Sequence, residues 1–212
     1  MRNIPFFDTP FGVASLVLKE ISYSARAYIT VQSALDLAKL LDECVSFCRM
    51  VGAEEIYAKG HDDLQCYPVW MQLLQMQIDQ PDFGDSCAFL EPVTGETLSQ
   101  WTEVYNNKMR RVDNASYMTQ RDAKEMLARG NGYFLCRDEK TLGIVMASDG
   151  ELQALASCVP GGGPEGLRAL VKTFGLESIR LEVASTNYKA IKLYKSLGFA
   201  EKNVISTWHK IL

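Results

Sequence analysis

The stretch "NYKAIKLYKSLGF", Asn187–Phe199, is the part of this chain that most directly indicates a fold. Asn187 and Tyr194 are seven residues apart, which is two helical turns, so both side chains project from one face of a helix. Gly198 is the residue type that ends helices in the left-handed conformation. The stretch therefore predicts an amphipathic helix that ends at Gly198, and core packing alone would also produce this pattern.

The composition of the chain is that of an ordinary globular protein. It has 212 residues, of which 47% are hydrophobic and 23% charged, enough for one large domain or two small ones. The net charge of -4 gives no reason to expect a nucleic-acid partner. No apolar run approaches a membrane span, and the start "MRNIPFFDTPFG" is broken by Asp8 and two prolines, unlike a secretion signal. We therefore expect a cytoplasmic protein without a membrane partner; the oligomeric state is unknown at this stage.

Charge is distributed unevenly along the chain. Residues 1–90 carry 6 Lys and Arg against 12 Asp and Glu, a net charge of -6, whereas residues 91–212 carry 16 against 14, a net charge of +2. If either half holds a polyphosphate, electrostatics favours the second half. The acidic first half could attract a cationic amine.

The six cysteines are scattered. Cys44 and Cys48 are four residues apart on a predicted helix and could ligate a metal together with His61 or Cys66. Structural zinc sites usually have tighter paired spacings, so buried free thiols are the better interpretation and no metal is expected.

The hydrophobic pattern predicts two similar successions of elements. In the first part we expect strands at 12–21, 26–31 and 54–60, a helix capped by Ser33 and ended by Gly52, and an apolar helix at 67–78. After a linker at 79–85 we expect strands at 87–94, 132–139, 141–148, 150–159, 177–185 and 202–212, and helices at 96–112, 119–130, 167–175 and 187–198.

Two short segments support a duplication. "GAEEIYAKG", from Gly52, and "GLESIRLEV", from Gly175, each follow an apolar helix and precede another predicted helix. This indicates two related units with a truncated first copy. We predict domains at residues 1–85 and 86–212.

From Cys87 to Leu212 the chain resembles the GNAT superfamily of acetyl-CoA-dependent N-acetyltransferases. The best-matching motif is N-x-x-A-x-x-L-Y-x-x-x-G-F, represented by Asn187, Ala190, Leu193, Tyr194, Gly198 and Phe199. The resemblance implies an α/β (α+β) fold with a mixed central sheet flanked by helices. The N-terminal residues then look like a partial, degenerate second GNAT unit, in a tandem arrangement.

The resemblance also implies a site for acetyl-CoA as co-substrate. One strand would pair with the pantetheine arm and a glycine loop would hold the diphosphate: Ala156, Ser157 and Cys158 for the strand, and Gly161, Gly162, Gly163 and Gly166 for the loop. Asn187 would contact the arm, and Tyr194 would be the general acid for the leaving thiolate. Glu151 would be the general base, although its register is off by one unless the strand bulges; a solvated strand-end carboxylate is the alternative.

The glycine loop departs from the family pattern of Q/R-x-x-G-x-G/A. Gly163 has no side chain where the family has Arg or Gln, Pro164 has no N–H to donate, and Glu165 is expected to repel a diphosphate. The same residues also make a helix start, with Gly163 before the helix, Pro164 at its first position and Glu165 in its first turn. The corresponding loop of the first copy, "TVQSALDL", has no glycine, and Asp36 occupies the positive end of the helix that follows. We therefore predict that residues 1–90 do not bind acetyl-CoA.

These observations favour an N-acetyltransferase that transfers an acetyl group to a primary amine of a small molecule or peptide. The alternative is a non-catalytic GNAT-fold binding or regulatory module with a weakened CoA site. A weaker third possibility is transfer of a longer acyl or aminoacyl group.

Overall fold

The computed structural model describes residues 5–113 and 115–212, which form two compact units. Unit 1 extends to Gln72 and also includes Val204–Leu212, and unit 2 comprises Leu73–Asn203. Two strands contribute residues to both units, β5 (Val69–Asp79) and β11 (Ala200–Lys210). The predicted boundary between residues 85 and 86 separates two supposed copies of one fold. The division into compact units does not test whether the copies are related, so this boundary stays a prediction.

Unit 1 is a mixed sheet with one long helix. Its remaining elements are β1 (Phe6–Thr9), β2 (Gly12–Val17), α1 (Ile21–Ser24), β3 (Arg26–Ala34), α2 (Leu37–Met50), β4 (Glu55–Lys59) and a 3-10 helix (Asp62–Cys66). The strand order is β1-β2-β3-β4-β11, in which β3 and β4 are parallel and joined through α2. The apolar side of α2 packs on β2, β3 and β4, because Leu40, Leu41 and Cys44 share one helical face.

Unit 2 has the larger sheet. Its further elements are β6 (Phe89–Pro92), α3 (Leu98–Met109), α4 (Gln120–Arg129), β7 (Gly132–Arg137), β8 (Lys140–Ser148), β9 (Glu151–Ser157), α5 (Gly162–Phe174), β10 (Ser178–Ala184) and α6 (Tyr188–Ser196). The strand order is β5-β10-β9-β8-β7-β6, in which β9 and β10 are parallel and the other pairs are antiparallel. The predicted mixed sheet flanked by helices is confirmed.

Each face of the unit 2 sheet has its own core. On one face α5 and α6 contribute Leu167, Leu170 and Tyr194 to a cluster with β5, β9 and β10. On the other face α3 and α4 contribute Trp101 and Met126 to a second cluster. Fully burying an aliphatic side chain contributes about 1.5–3 kcal/mol, so these two layers hold the strands in place.

Two local predictions were wrong. Residues 67–78 were expected to be helical, but β5 covers most of them, because from Leu74 to Ile78 apolar residues alternate with glutamines and the period is that of a strand. Ser33 was expected to cap the helix that ends at Gly52, but it lies in β3. The N-cap of this helix, α2, is Asp36, whose carboxylate accepts from the Lys39 N–H at 3.2 Å.

None of the helices in the described residues combines the length and the apolar character that crossing a bilayer requires.

Candidate active site

The parallel strands β9 and β10 separate at their carboxyl ends. Their ladder contains the pairs Arg180↔Glu151 and Leu181↔Leu152. Within the described residues, the five positions of β9 after Leu152 have no partner on β10. At the usual rise per residue, this unpaired part of β9 is about 16 Å long. This leaves a gap between two strands in the middle of the sheet.

A β-bulge in β9 accompanies the gap. Met146 of β8 is paired with Ala154 and Ala147 with Leu152, so Gln153 is the extra residue on β9. A bulge increases local twist and bends its strand, which accounts for the divergence of β9 from β10. The bulge also places Leu152 in the core beneath α5, whereas Ala154 faces α3 and α4.

The edge of β9 that faces the gap can be assigned from one hydrogen bond. The Cys158 N–H donates to the Leu142 carbonyl at 2.8 Å, so Cys158 and, two residues earlier, Ala156 direct their backbone groups toward β8. Leu155 and Ser157 then direct their N–H and C=O groups toward the gap. An extended ligand in the gap would find a strand edge there, as a further β-strand would.

A tight turn joins β9 to α5. The Ser157 hydroxyl donates to the Val159 carbonyl and accepts from the Val159 N–H. Gly161 is the N-cap of α5 with φ 78°, a left-handed conformation that favours glycine. The helix begins at Gly162, earlier than predicted, so Pro164 is its third residue.

The helix start retains hydrogen-bond donors for an anion. Pro164 has no N–H and so removes one donor that could face an anion, although the helix itself loses no hydrogen bond, because that group has no intrahelical partner at the third position. The Gly162 N–H donates to the Val159 carbonyl at 3.3 Å. The N–H groups of Gly161 and Gly163 are the donors that this end of α5, with its partial positive charge, offers to an anion.

The loop glycines also have a packing role. A Cβ on Gly162 would collide with the Ser157 hydroxyl, and one on Gly166 would lie 2.6 Å from a methyl of Leu155. A Cβ on Gly163 would lie 2.8 Å from Leu193 of α6. The absence of these side chains lets α5 lie close to β9 and α6, so the start of α5 is held beside the gap.

Glu165 does not present an unpaired charge at this helix start. Its carboxylate accepts from the Ser86 hydroxyl at 2.7 Å and from the Arg168 guanidinium at 2.8 Å. Because the cation is adjacent, the expected repulsion of a diphosphate by Glu165 is largely offset. Nothing in the local sequence indicates the Ser86 contact, because it joins residues 79 positions apart.

Asn187 begins α6 beside the carboxyl end of β10. Its side-chain oxygen accepts from the Ala190 N–H at 3.3 Å, a helix cap, while its amide nitrogen retains two donors. The preceding Thr186 donates to Asp113 at 2.7 Å and so ties this turn to the residues after α3. The Thr186–Asp113 contact was not foreseen from the sequence.

Tyr194 lies in the core formed by α5, α6 and the sheet. It is 8% exposed and its ring centroid is 5.4 Å from that of Phe199. Burial raises the pKa of the Tyr194 phenol to about 12, so the hydroxyl is protonated over the whole physiological range. The described geometry is compatible with a proton donor and equally with a packed aromatic residue.

Glu151 is not brought together with the other predicted residues. It is exposed at the amino end of β9, six residues before Ser157, which corresponds to roughly 20 Å of extended strand. The bulge that its predicted role required is present, and it turns Glu151 toward the side of α3 and α4, opposite to the core that contains Tyr194.

The topologically similar position in unit 1 is closed. The parallel strands β3 and β4 remain paired from Arg26↔Glu55 to Thr30↔Lys59. The helix that follows β3 has Asp36 at its start, and the Lys39 N–H that it binds lowers the pKa of this carboxyl. A carboxylate therefore already occupies the end of α2 that an anion would need.

The predicted absence of a metal site was based on cysteine spacing. Cys44 and Cys48 are completely buried on the face of α2 that packs on the sheet, and burial raises the pKa of the two thiols to about 12 and about 11, respectively. Within the described residues, no group of three or more His, Cys, Asp and Glu side chains is arranged to hold a metal ion.

Solved structures share this fold. A GCN5-related N-acetyltransferase from Sphaerobacter thermophilus aligns with a TM-score of 0.63 and 12% identity over 93% of this chain and 75% of its own. One from Anabaena variabilis aligns with a TM-score of 0.64 and 9% identity over 94% of this chain and 59% of its own. A functionally unknown conserved protein from Staphylococcus epidermidis aligns with a TM-score of 0.58 and 9% identity over 99% of this chain and 94% of its own.

At these identities the likeness concerns the fold, which is that of GNAT proteins. No protein-family model matches the chain. A comparison with curated protein sequences gives no significant match either.

Proposed function

We propose that this protein is an acetyl-CoA-dependent N-acetyltransferase that acts on a primary amine of a small molecule or peptide. The observation that carries the proposal is the gap between β9 and β10, which lies directly beside the glycine-rich start of α5. The gap supplies an unpaired strand edge, and the helix start supplies an anion site. The GNAT fold of the solved structures, several of which are named acetyltransferases, supports the same activity class.

The residues of the gap fit the parts of acetyl-CoA. The backbone groups of Leu155 and Ser157 would pair with the amides of the pantetheine arm, and the N–H groups of Gly161 and Gly163 would bind the diphosphate. The amide nitrogen of Asn187, which its capping role leaves available, would donate to the arm. Bound acetyl-CoA supplies an activated acyl thioester.

Tyr194 would act at the sulfur end of the site. Its raised pKa keeps the phenol protonated, so it is suited to donate a hydrogen bond, and finally a proton, to the leaving sulfur. Glu151 lies at the other end of β9, so as a base it would act through water, and we expect its replacement to reduce turnover less than replacement of Tyr194.

Only unit 2 would bind acetyl-CoA. In unit 1 the equivalent strands remain paired through Thr30↔Lys59, and Asp36 occupies the helix start. Both features oppose a pantetheine arm and a diphosphate at that position.

Calorimetric titration tests the binding step. Acetyl-CoA and desulfo-CoA should each bind saturably with a stoichiometry of one per chain, because both carry the arm and the diphosphate. Absence of heat with millimolar ligand would contradict the proposal.

A pair of variants with the same shape but different charge tests where the diphosphate binds. A Cβ at Gly161 meets no atom within 4 Å, and Asn and Asp tolerate left-handed backbone better than other side chains. Gly161→Asp and Gly161→Asn have the same shape and both can cap α5, but only the first adds a negative charge. We expect Asp to weaken acetyl-CoA binding by about tenfold relative to Asn, from a charge effect of about 1–1.5 kcal/mol at the rim of the site. Equal affinities would place the diphosphate elsewhere.

A non-catalytic GNAT-fold module is the second candidate. It is favoured by Pro164, which removes one donor from the loop, and by Gly163, which offers no side chain to a phosphate. Saturable binding of acetyl-CoA without turnover of any amine in a panel of lysine peptides and small alkylamines would support this candidate and contradict the first.

A further inference from the structure

The two histidines of the chain, His61 and His209, line one cavity in unit 1. Its volume is about 480 Å³, within the range of pockets that hold small ligands. The cavity lies outside the proposed acetyl-CoA site, and neither histidine belongs to that site.

His209 lines this cavity, and one of its ring nitrogens is held by the backbone. The residue is 6% exposed, and its Nδ1 lies 3.0 Å from the Tyr67 carbonyl oxygen. Because a carbonyl oxygen only accepts, Nδ1 carries the proton, and Nε2 of the neutral ring has a lone pair. Within the described residues Nε2 has no hydrogen-bond partner and is not among the side-chain atoms that are fully buried without one, so its lone pair is accessible to a ligand or solvent.

His61 has the opposite tautomer. It is the N-cap of the 3-10 helix, and its Nδ1 accepts from the Asp63 N–H at 3.2 Å. The proton of the neutral ring is therefore on Nε2, which makes that nitrogen a donor. The cavity thus combines one imidazole acceptor and one imidazole donor, each fixed by a hydrogen bond to the backbone.

The other lining residues restrict the chemistry of a ligand. Asp62 contributes a carboxylate, which opposes an anion, while Gln65 and Thr207 contribute further polar groups. An apolar ligand would leave the His209 nitrogen unsatisfied. A metal ion is disfavoured because no group of three suitable ligands exists in the described parts of the chain. A hydroxyl group, which both donates and accepts, satisfies either imidazole.

We propose that this cavity binds a small neutral molecule with neighbouring hydroxyl groups, such as a sugar or another polyol. One hydroxyl donates to Nε2 of His209, and the adjacent one accepts from Nε2–H of His61. The site is independent of acetyl transfer.

The test uses a pair of probes that differ by one hydroxyl, cis-1,2-cyclohexanediol and cyclohexanol, with myo-inositol as a natural polyol. Long-range ¹H–¹⁵N NMR of the full chain resolves the two imidazoles. We expect the diol and inositol to shift both rings saturably at millimolar concentration and the mono-alcohol to bind about tenfold more weakly, as the loss of one hydrogen bond implies.

Two variants preserve the structural hydrogen bonds but delete the nitrogens in the cavity. In His209→Asn the side-chain amide still donates to the Tyr67 carbonyl, and in His61→Asn the side-chain oxygen still accepts from the Asp63 N–H. Each variant should bind the diol about tenfold more weakly with an unchanged melting temperature. The proposal would be overturned if the diol and the mono-alcohol bound with equal affinity, or if the Asn variants bound the diol as tightly as the wild type. Saturable Zn²⁺ binding that both variants abolish would also overturn it, in favour of a metal site.

Discussion

Replacing Tyr194 by phenylalanine removes one hydroxyl and leaves the packing of the ring intact. The pKa of about 12 sets the size of the expected effect. A thiol ordinarily has a pKa of about 8.5 to 9, so this phenol is the weaker acid by roughly three units and stabilises the leaving thiolate mainly through a hydrogen bond. A hydrogen bond to a charged group contributes about 1.5–3 kcal/mol, which corresponds to a loss of about 10- to 200-fold in kcat.

The assay is thiol release from acetyl-CoA with a primary amine as acceptor, together with calorimetric affinity for acetyl-CoA. We expect kcat to fall in the Tyr194→Phe variant while the dissociation constant of acetyl-CoA remains within about twofold, because the hydroxyl acts on the departing sulfur. The matched control is Tyr105→Phe, which removes a hydroxyl from another buried tyrosine, 7% exposed, on α3.

A Tyr194→Phe protein with more than about a third of wild-type kcat would refute this reasoning, since even one weak charge-assisted hydrogen bond is worth more than that. Tyr194 would then be a core residue only. An equal loss of kcat in the Tyr105→Phe control would show that the effect came from general destabilisation.

Three further predictions concern stability. Folding raises the pKa of the Cys44 and Cys48 thiols above the ordinary 9.0, so the stability that the two neutral thiols contribute is complete below about pH 9 and falls as the pH rises toward 11. When urea unfolding is measured between these two pH values, a Cys44→Ala/Cys48→Ala variant should lose less stability than the wild type. An equal loss would contradict the burial argument. Gly166→Leu should lower the free energy of unfolding by about 1–3 kcal/mol, because a Cβ at position 166 enters occupied space. The control is Gly95→Leu, because a Cβ at position 95 meets no atom within 4 Å, and urea unfolding should show little change. Asp36→Ala should lower the melting temperature through loss of about 1 kcal/mol of helix capping, and a changed affinity for acetyl-CoA in this variant would contradict the assignment of the site to unit 2.

Most helices and strands of unit 2 could be predicted from the sequence because their signals are local. The seven-residue spacing of Asn187 and Tyr194 is a property of a single helix, and α6 (Tyr188–Ser196) lies within the predicted range of 187–198. The error at β5 has the same origin. Its first half is apolar except for Gln72, which does not distinguish a buried helix from a strand, and only the alternation after Leu74 carries the strand period.

The candidate site was less predictable, because its geometry depends on how strands pair. The order of β9, glycine loop and α5 follows from the sequence, but nothing in it states that β9 stops pairing with β10 after Leu152. The bulge at Gln153 was considered only as a condition for Glu151. A strand's register is set by its partners, and these are distant in the chain.

The sequence by itself determined the local periods, the glycines that follow the carboxyl ends of the helices and the glycines at the start of α5, since these depend on backbone geometry over a few residues. Only the tertiary structure decided the state of Glu165, whose charge is held by Ser86 and Arg168, and the opposite tautomers of the two histidines. The physical reason is that a side chain's charge, proton position and accessibility are set by the groups packed around it. For Glu165 and His209 one of those groups lies 79 and 142 residues away, respectively.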